Sequence, residues 1–251
     1  MGKEFKRKLA LVLVGDEEVG QKGSKYLLKK RKDFFNDIKY GLVAEPTDLK
    51  LKIAQKGIMH IKFKFRGRAA HASTPWKGNN AILKASNFIQ EVNNLSERLK
   101  KVKYPLLGCP TINVGKIIGG TKVNIVPEFC EVEIDRRLLP GETPERVLNE
   151  FKVILKKLKL KAKIEQIIRP RLAMKIPANS EIVKLIQGIV KTRVEGEYGY
   201  TEAELYYRKL GTNFVIFGPT STAHQANEFV KIRDLKKARF VYEKSIEKWC
   251  C

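Results

Sequence analysis

The sequence has few cysteines and histidines: four cysteines and three histidines among 251 residues. No two cysteines have the CxxC spacing of a cysteine zinc site, and Cys250 and Cys251 are adjacent at the end of the sequence. These positions do not suggest a disulfide framework, so buried thiols in a reducing compartment are the expectation. We therefore predict a cytoplasmic protein.

Long apolar segments are also missing, since no stretch approaches the ~20 residues that a membrane-spanning helix needs. The apolar run from Leu9 to Val14 follows basic residues, as in a signal peptide, but it is short and soon meets Asp16, Glu17 and Glu18. We interpret residues 9–14 as a buried strand of a parallel sheet.

Acidic residues are scarce relative to basic ones: 27 Asp and Glu stand against 50 Lys and Arg, which gives a net charge of +23. One interpretation is a polyanionic partner such as nucleic acid. The alternative, which we favour, is a lysine-rich surface of the kind found in proteins from hot environments. The basic residues are spread along the chain, and only residues 29–32 form an uninterrupted run of four.

Hydrophobic periodicity predicts α/β segments on both sides of a central insertion. Before the insertion, a strand at 9–14, a helix at 19–32 and a strand at 41–44 follow the order of a βαβ unit. After it, the pattern predicts a helix at 179–193, a strand at 212–217 and a helix at 231–248.

The insertion between residues 57 and 168 is predicted to run strand, helix, strand, strand, helix, strand. Apolar and polar residues alternate from Ile58 to Arg66, and Thr143 and Pro144 suit the N-cap and first turn of the second helix. This order is typical of a ferredoxin-like split βαβ sandwich. The predicted domains are a discontinuous α/β domain at 1–52 and 170–251, and an inserted domain at 53–169.

Five short motifs occur along the chain in a fixed order. They are Gly15-Asp16-Glu17-Glu18-Val19-Gly20, Ala44-Glu45-Pro46-Thr47, Ala70-His71-Ala72-Ser73-Thr74-Pro75, Asn124-Ile125-Val126-Pro127 with Asp135-Arg136-Arg137, and Phe217-Gly218-Pro219 followed by Ala223-His224. Together they resemble the two-zinc amidohydrolases and exopeptidases, the family of acetylornithine deacetylase, succinyl-diaminopimelate desuccinylase, aminoacylase and carboxypeptidase G. The resemblance implies a partial zinc-exopeptidase-like α/β catalytic domain with an inserted ferredoxin-like (βαββαβ) lid and dimerisation domain.

The resemblance also implies a metal centre. Glu17 would be the general base, which takes a proton from water and passes it to the leaving amine. Glu45 would bind the first metal ion, and Glu18 and His224 the second; zinc is expected, with cobalt or manganese as alternatives. Taken alone, the two adjacent glutamates also fit a solvated acidic turn before a helix, and the other two residues fit ordinary surface positions.

The lid residues would act on the substrate. The resemblance implies that His71 reaches across a homodimer and polarises the scissile carbonyl of the partner's site, with Asn124 near the same carbonyl. We expect Arg137 to bind the substrate carboxylate, because a guanidinium matches a carboxylate bidentately. Arg136 is the alternative, and only one can serve because neighbours on a strand face opposite ways.

Two departures from the family pattern affect these expectations. In the family, a His and a bridging Asp precede the paired glutamates, whereas neither residue type occurs among the fourteen residues before Gly15. The chain therefore resembles the C-terminal two thirds of such an enzyme. A separate N-terminal segment is a candidate partner. We predict that the chain alone binds at best one metal ion, and binds it weakly. Glu202-Ala203 stands where the family usually has Asp-Ala.

These observations predict a metal-dependent hydrolase of an N-acyl amino acid or related amide. The alternatives are a catalytically inactive dimeric binding protein or one half of a split amidohydrolase. A basic nucleic-acid-binding protein is a weaker alternative, motivated only by the net charge. The sequence does not determine the acyl group, the amino acid or the metal.

Overall fold

The computed structural model describes residues 4–220 and 225–251. The chain divides into two compact units, which we call the α/β unit (Met1–Gln55 and Met174–Cys251) and the lid unit (Lys56–Ala173). The helices of the described residues are α1 (Lys22–Lys30), α2 (Ala81–Leu99), α3 (Pro144–Lys157), α4 (Glu181–Gln187), α5 (Ala203–Leu210) and α6 (Ile232–Cys250). The strands are β1 (Tyr40–Val43), β2 (Leu51–Gln55), β3 (Gly57–Arg66), β4 (Thr111–Gly119), β5 (Phe129–Leu138), β6 (Ala162–Gln166), β7 (Met174–Lys175), β8 (Val194–Glu197) and β9 (Asn213–Ile216).

The lid unit has the predicted βαββαβ order, which confirms the ferredoxin-like prediction. Its four-stranded sheet has the order β4-β5-β3-β6, with antiparallel pairing throughout. The β3–β5 pairing runs from Gly57 opposite Leu138 to Arg66 opposite Phe129. Over residues 60–65 of β3, apolar residues lie opposite apolar residues of β5, and polar residues lie opposite polar residues. As a result, one face of the sheet is apolar and the other is charged.

The apolar face of the lid sheet packs against α2 and α3 around three aromatic rings. The ring of Phe63 on β3 lies 4.7 Å from that of Phe88 on α2 and 5.2 Å from that of Phe151 on α3. All three side chains are buried, and burial of each stabilises the fold by about 1.5–3 kcal/mol. As predicted, Thr143 caps α3, because its hydroxyl accepts a hydrogen bond of 3.3 Å from the Arg146 backbone N–H.

The α/β unit contains a mixed sheet rather than the parallel sheet that the sequence suggested. Its order is β1-β9-β2-β7, with β8 also paired to β2. β1 lies parallel to β9 and β2 parallel to β8, whereas β2 is antiparallel to β9 and β7. Leu28 of α1, Tyr206 of α5 and Phe214 and Ile216 of β9 form part of its core.

The predicted buried strand at residues 9–14 is wrong. These residues contain no strand, and Leu11 and Leu13 are 76% and 85% exposed, while Val12 packs against the core of the α/β unit. A strand buried on both faces needs hydrogen-bonded neighbours and covering layers. Among the described residues, β1 pairs with β9 along one side, and no strand pairs with its other side. We call residues 8–14 the N-terminal arm.

No helix among the described residues has the length and apolar character required to cross a membrane.

Candidate functional site

Glu17 and Glu18 lie in a tight turn that leads into α1. The backbone N–H of Gln21 donates to the carbonyl oxygen of Asp16 at 2.8 Å, which closes the turn around the two glutamates. Asp16 adopts a left-handed φ of 64°, a conformation that aspartate tolerates better than most residues. The glutamates therefore occupy a turn after an extended arm, not the end of a strand.

Glu45 directly follows β1, and a set of hydrogen bonds fixes the backbone around it. The Thr47 hydroxyl accepts from the Gly218 N–H at 3.0 Å, and the Leu49 N–H donates to the Gly218 carbonyl at 2.9 Å. A Cβ on Gly218 would come within 2.5 Å of the Glu45 carbonyl oxygen, so only glycine permits this approach. Because β1 and β9 are parallel, their C-terminal ends lie on the same side of the sheet, and Glu45 and the 217–220 loop follow these two ends.

An acidic cavity of about 870 Å³ lies in the α/β unit between the N-terminal arm, β1, α4 and α6. Its walls are mostly apolar, but Glu17, Glu18, Glu45 and Glu202 also line it, and the other charged residues of its lining are Asp37, Arg7, Lys8 and Lys39. Glu202 lies immediately before α5 and is only 7% exposed. No role is predicted for Glu202 from the sequence, because its position depends on α5, a helix that the hydrophobic pattern does not indicate.

The other carboxylates of the cavity are near enough to Glu45 to affect its pKa. Burial, followed by the negative charges of Glu17, Glu202 and Glu18, raises the pKa of Glu45 to about 7. Mutual repulsion of this kind is relieved by a proton or a cation. The negative charge of these carboxylates would therefore favour a cation in the cavity, and carboxylate oxygens are ligands that divalent metal ions accept.

The described residues supply an incomplete ligand set for a metal ion. Within residues 4–220 and 225–251, no three His, Cys, Asp or Glu side chains form a group that could hold a metal. His224, the predicted fourth member of the centre, lies outside the described residues. Glu18 and Glu45 both line the acidic cavity, whereas a catalytic zinc ion usually takes three protein ligands.

His71 and Asn124 are brought together in the lid unit by backbone hydrogen bonds. The N–H of Ala72 donates to the carbonyl of Asn124 at 3.0 Å, and the N–H of Val126 donates to that of Ala70 at 2.8 Å. His71 pairs with Ile125 in an isolated β-bridge between the two loops. Both His71 and Asn124 are exposed, so their side chains are accessible to a ligand.

The two candidate arginines have different environments. Arg136 is wholly buried, and its guanidinium lies 2.6 Å from Glu142, so it does not suit a substrate site. Arg137 lies on the charged face, where Nε and Nη2 donate to the two carboxylate oxygens of Asp135 at 2.9 and 3.1 Å. His60 Nε2 lies 3.0 Å from the same carboxylate. A substrate carboxylate would therefore share or replace Asp135 as the partner of Arg137.

Comparison with known proteins gives matches that cover nearly all of the chain. Residues 53–163 match the M20 model described as a peptidase dimerisation domain. Acetylornithine deacetylase of Myxococcus xanthus is 30% identical over 259 residues, covering 98% of this chain and 66% of the relative. An uncharacterized metallohydrolase of Methanocaldococcus jannaschii is 34% identical over 271 residues, covering 96% of this chain and 65% of the relative.

Solved structures show the same fold at lower identity. Aminopeptidase PepT from Bacillus cereus superposes with a TM-score of 0.76 at 22% identity, covering 94% of this chain and 62% of that protein. An M20 family metallo-carboxypeptidase from Sulfolobus solfataricus gives a TM-score of 0.70 at 21% identity, covering 93% of this chain and 68% of that protein. The chain spans slightly less than two thirds of the length of the curated relatives that it matches. From the dimerisation domain, the sequence relatives and the shared fold, we conclude that this chain belongs to the M20 peptidase family.

Proposed function

We propose that the chain forms the larger part of a metal-dependent hydrolase that cleaves an N-acyl amino acid or a related amide by attack of water. The observation that carries this proposal is the grouping of Glu17, Glu18 and Glu45 around one cavity of the α/β unit. Glu17 and Glu18 are adjacent, whereas Glu45 belongs to another motif, 27 residues after Glu18. Their convergence is expected if they share a function and has no counterpart in a merely solvated acidic turn.

Each carboxylate has a separate task in the proposed reaction. Glu18 and Glu45 would hold divalent metal, zinc by the family resemblance, and His224 would complete the second metal position. The metal, when bound, would make water more acidic and polarise the amide carbonyl. Glu17 would accept the proton of the attacking water and deliver it to the leaving amine, so that one side chain serves as base and then as acid.

The lid residues bind and polarise the substrate in this proposal. His71 would donate a hydrogen bond to the carbonyl oxygen on which negative charge develops, a contribution of about 3–4 kcal/mol where such a donor has been removed. Asn124, whose loop is bonded to that of His71, would contact the same carbonyl. Arg137 would bind the substrate carboxylate in exchange for Asp135.

A further α/β segment would complete the α/β unit, on the same polypeptide or on a second one. Three observations support this: β1 pairs only with β9 among the described strands, Leu11 and Leu13 of the arm are exposed, and the chain spans about two thirds of its curated relatives. An added strand at β1 would pair the edge and cover the arm. Without this segment, we expect one weakly bound metal ion.

The proposed assembly is a homodimer formed through the lid unit. The match to a peptidase dimerisation domain supports it, as do the single partner of β4 in the lid sheet and the exposed Leu83 on α2. We expect a dimeric mass by light scattering, and a Leu83→Glu variant should shift the mass toward the monomer. A monomeric mass for the parent chain at all concentrations would contradict the proposal.

Metal binding is tested by calorimetric titration of the purified chain with Zn²⁺. We expect one weak site, and replacement of the glutamate that holds it, in Glu18→Gln or Glu45→Gln, should weaken it more than about tenfold, since loss of an outer-shell partner alone often costs 10–100-fold. Glu97→Gln is the matched control, because Glu97 lies in the lid unit and pairs with Lys100. An unchanged affinity in Glu45→Gln would remove Glu45 from the metal site, and stoichiometric binding of two zinc ions would overturn the single-site expectation.

Hydrolysis is tested with N-acetylornithine and other N-acetyl amino acids, using the chain joined to a segment that covers the unmatched third of a relative. The release of free amine should depend on zinc, and Glu17→Gln should lower kcat by about 10²–10⁴-fold. If the zinc-loaded, folded protein binds these compounds without cleaving them, the inactive binding protein becomes the better conclusion.

A further inference from the structure

The ring of His71 is held by a second residue of its own turn. The Thr74 N–H donates to the His71 carbonyl at 2.9 Å, which closes the turn. Inside it, Nδ1 of His71 lies 3.2 Å from the backbone nitrogen of Ser73 and 2.7 Å from Ser73 Oγ. Both contacts involve the same ring nitrogen.

Two contacts from Ser73, one through its backbone N–H and one through its hydroxyl, favour one ring nitrogen as the site of the proton. A backbone N–H can only donate, so Nδ1 must present its lone pair to Ser73. The Ser73 hydroxyl can donate or accept, and beside an unprotonated nitrogen it donates. The neutral ring then has its proton on Nε2, the nitrogen on the far side of the ring from Ser73.

Backbone hydrogen bonds hold the loop that contains this turn, so the turn has a defined position in the lid unit. The bonds from Ala72 to Asn124 and from Val126 to Ala70, and the β-bridge of His71 with Ile125, fix the backbone on both sides of the ring. The position of Ser73 relative to the imidazole is therefore set by the lid fold rather than by chance contact of two free side chains.

We infer that Ser73 is a positioning residue, which holds His71 in the tautomer that offers Nε2–H as a hydrogen-bond donor. This inference rests on the proposed function in one respect, namely that the donor is used on the carbonyl oxygen of the substrate. With the proton on Nδ1, His71 would turn a lone pair toward that oxygen and repel it. Ser73 thereby prepares the donor before substrate arrives.

The test is the tautomer itself, measured by long-range ¹H–¹⁵N NMR of the ¹⁵N-labelled chain at mildly alkaline pH. The chain has three histidines, and His71→Gln identifies the relevant ring. We expect Nδ1 of the parent chain to resonate as an unprotonated nitrogen. Ser73→Ala should lower the ratio of the Nε2–H to the Nδ1–H form about fivefold, the effect of one lost hydrogen bond.

Two variants separate this effect from a general disturbance of the turn. Ser73→Thr keeps the hydroxyl and should restore the ratio. Thr74→Val removes a hydroxyl that lies 3.5 Å from the His71 carbonyl and does not contact the ring, so it should leave the ratio unchanged. A proton on Nδ1 in the parent chain, or an unchanged ratio in Ser73→Ala, would overturn the inference.

Hydrolysis by the completed enzyme distinguishes this inference from the proposed function. We expect Ser73→Ala to lower kcat in proportion to the fraction of His71 that leaves the Nε2–H form, by at most about fivefold, with KM nearly unchanged, and Ser73→Thr to recover it. If the tautomer shifts and kcat does not, Ser73 still positions the ring, but His71 has no role on the carbonyl. The NMR result stands by itself if no substrate is cleaved.

Discussion

Substitution of Arg136 tests whether this arginine stabilises the lid unit rather than binds substrate. Its side chain is fully buried in the lid unit, with Nη2 2.6 Å from Glu142 and 3.5 Å from Glu150. Nη1 also donates to the carbonyl oxygen of Arg137. We expect Arg136→Met to destabilise the lid unit, because two glutamates would lose the cation that balances them.

The magnitude follows from the burial of each partner. Removing one member of a buried ion pair costs about 3–5 kcal/mol. The side chains of Glu142 and Glu150 remain 17% and 23% exposed, so water can solvate part of their charge after the substitution. Methionine also keeps the apolar contacts of the arginine stem. We therefore expect a loss of about 2–3 kcal/mol.

The matched control is Arg137→Met, at the next position of the same strand. Arg137 is partly exposed and pairs with Asp135, so its removal should cost less than about 1 kcal/mol. Native-state hydrogen exchange of β3 and β5 amides is the appropriate assay, since it reports the lid unit separately from the rest of the chain. Losses of similar size in the two variants, or a loss below about 1 kcal/mol in Arg136→Met, would refute this reasoning.

Three further predictions concern the surroundings of the site and the charged face. Gly218→Ala should lower the stability of the α/β unit by about 1–3 kcal/mol in thermal unfolding, because its Cβ would lie 2.5 Å from the Glu45 carbonyl; an unchanged midpoint would contradict this. Hydrogen bonds from two lysines, of which Lys163 contributes more, lower the pKa of Glu165 to about 2. The stabilisation is thus present above the ordinary pKa of 4.5 and lost as pH falls toward 2, so the difference in Tm between the parent chain and Glu165→Gln should close over that range. Leu11→Asp should change the stability of the chain by less than about 0.5 kcal/mol, but it should block binding of a completing segment in a pull-down; retained binding would exclude the arm from that contact.

Local sequence patterns were sufficient to predict the lid unit. The alternation in β3 and the Thr143-Pro144 start of α3 both depend on neighbours within a few residues. By contrast, β2, β7, β8 and α5 were not predicted. β7 has only two residues and β8 is largely polar, so both depend on pairing with β2, which no local pattern reveals.

The arm and the site illustrate the same limit. An apolar run predicted a strand at residues 9–14, but hydrophobicity does not supply the neighbouring strand that such an element needs. The motifs drew attention to Glu17, Glu18 and Glu45, and these three residues line one cavity. They did not indicate that Glu202 joins this group, since that depends on where α5 begins. The sequence indicates which glutamates are candidates, whereas only the fold shows that they line the same cavity.

The metal position is the point at which the proposed function can be tested most directly. Anomalous X-ray scattering from crystals of the chain grown with zinc would locate any bound ion without reliance on activity. The proposal predicts an anomalous peak in contact with the carboxylate of Glu18 or Glu45, and its loss when the contacting glutamate is replaced by glutamine. Zinc bound only elsewhere, with no peak at these carboxylates at saturating concentration, would contradict it.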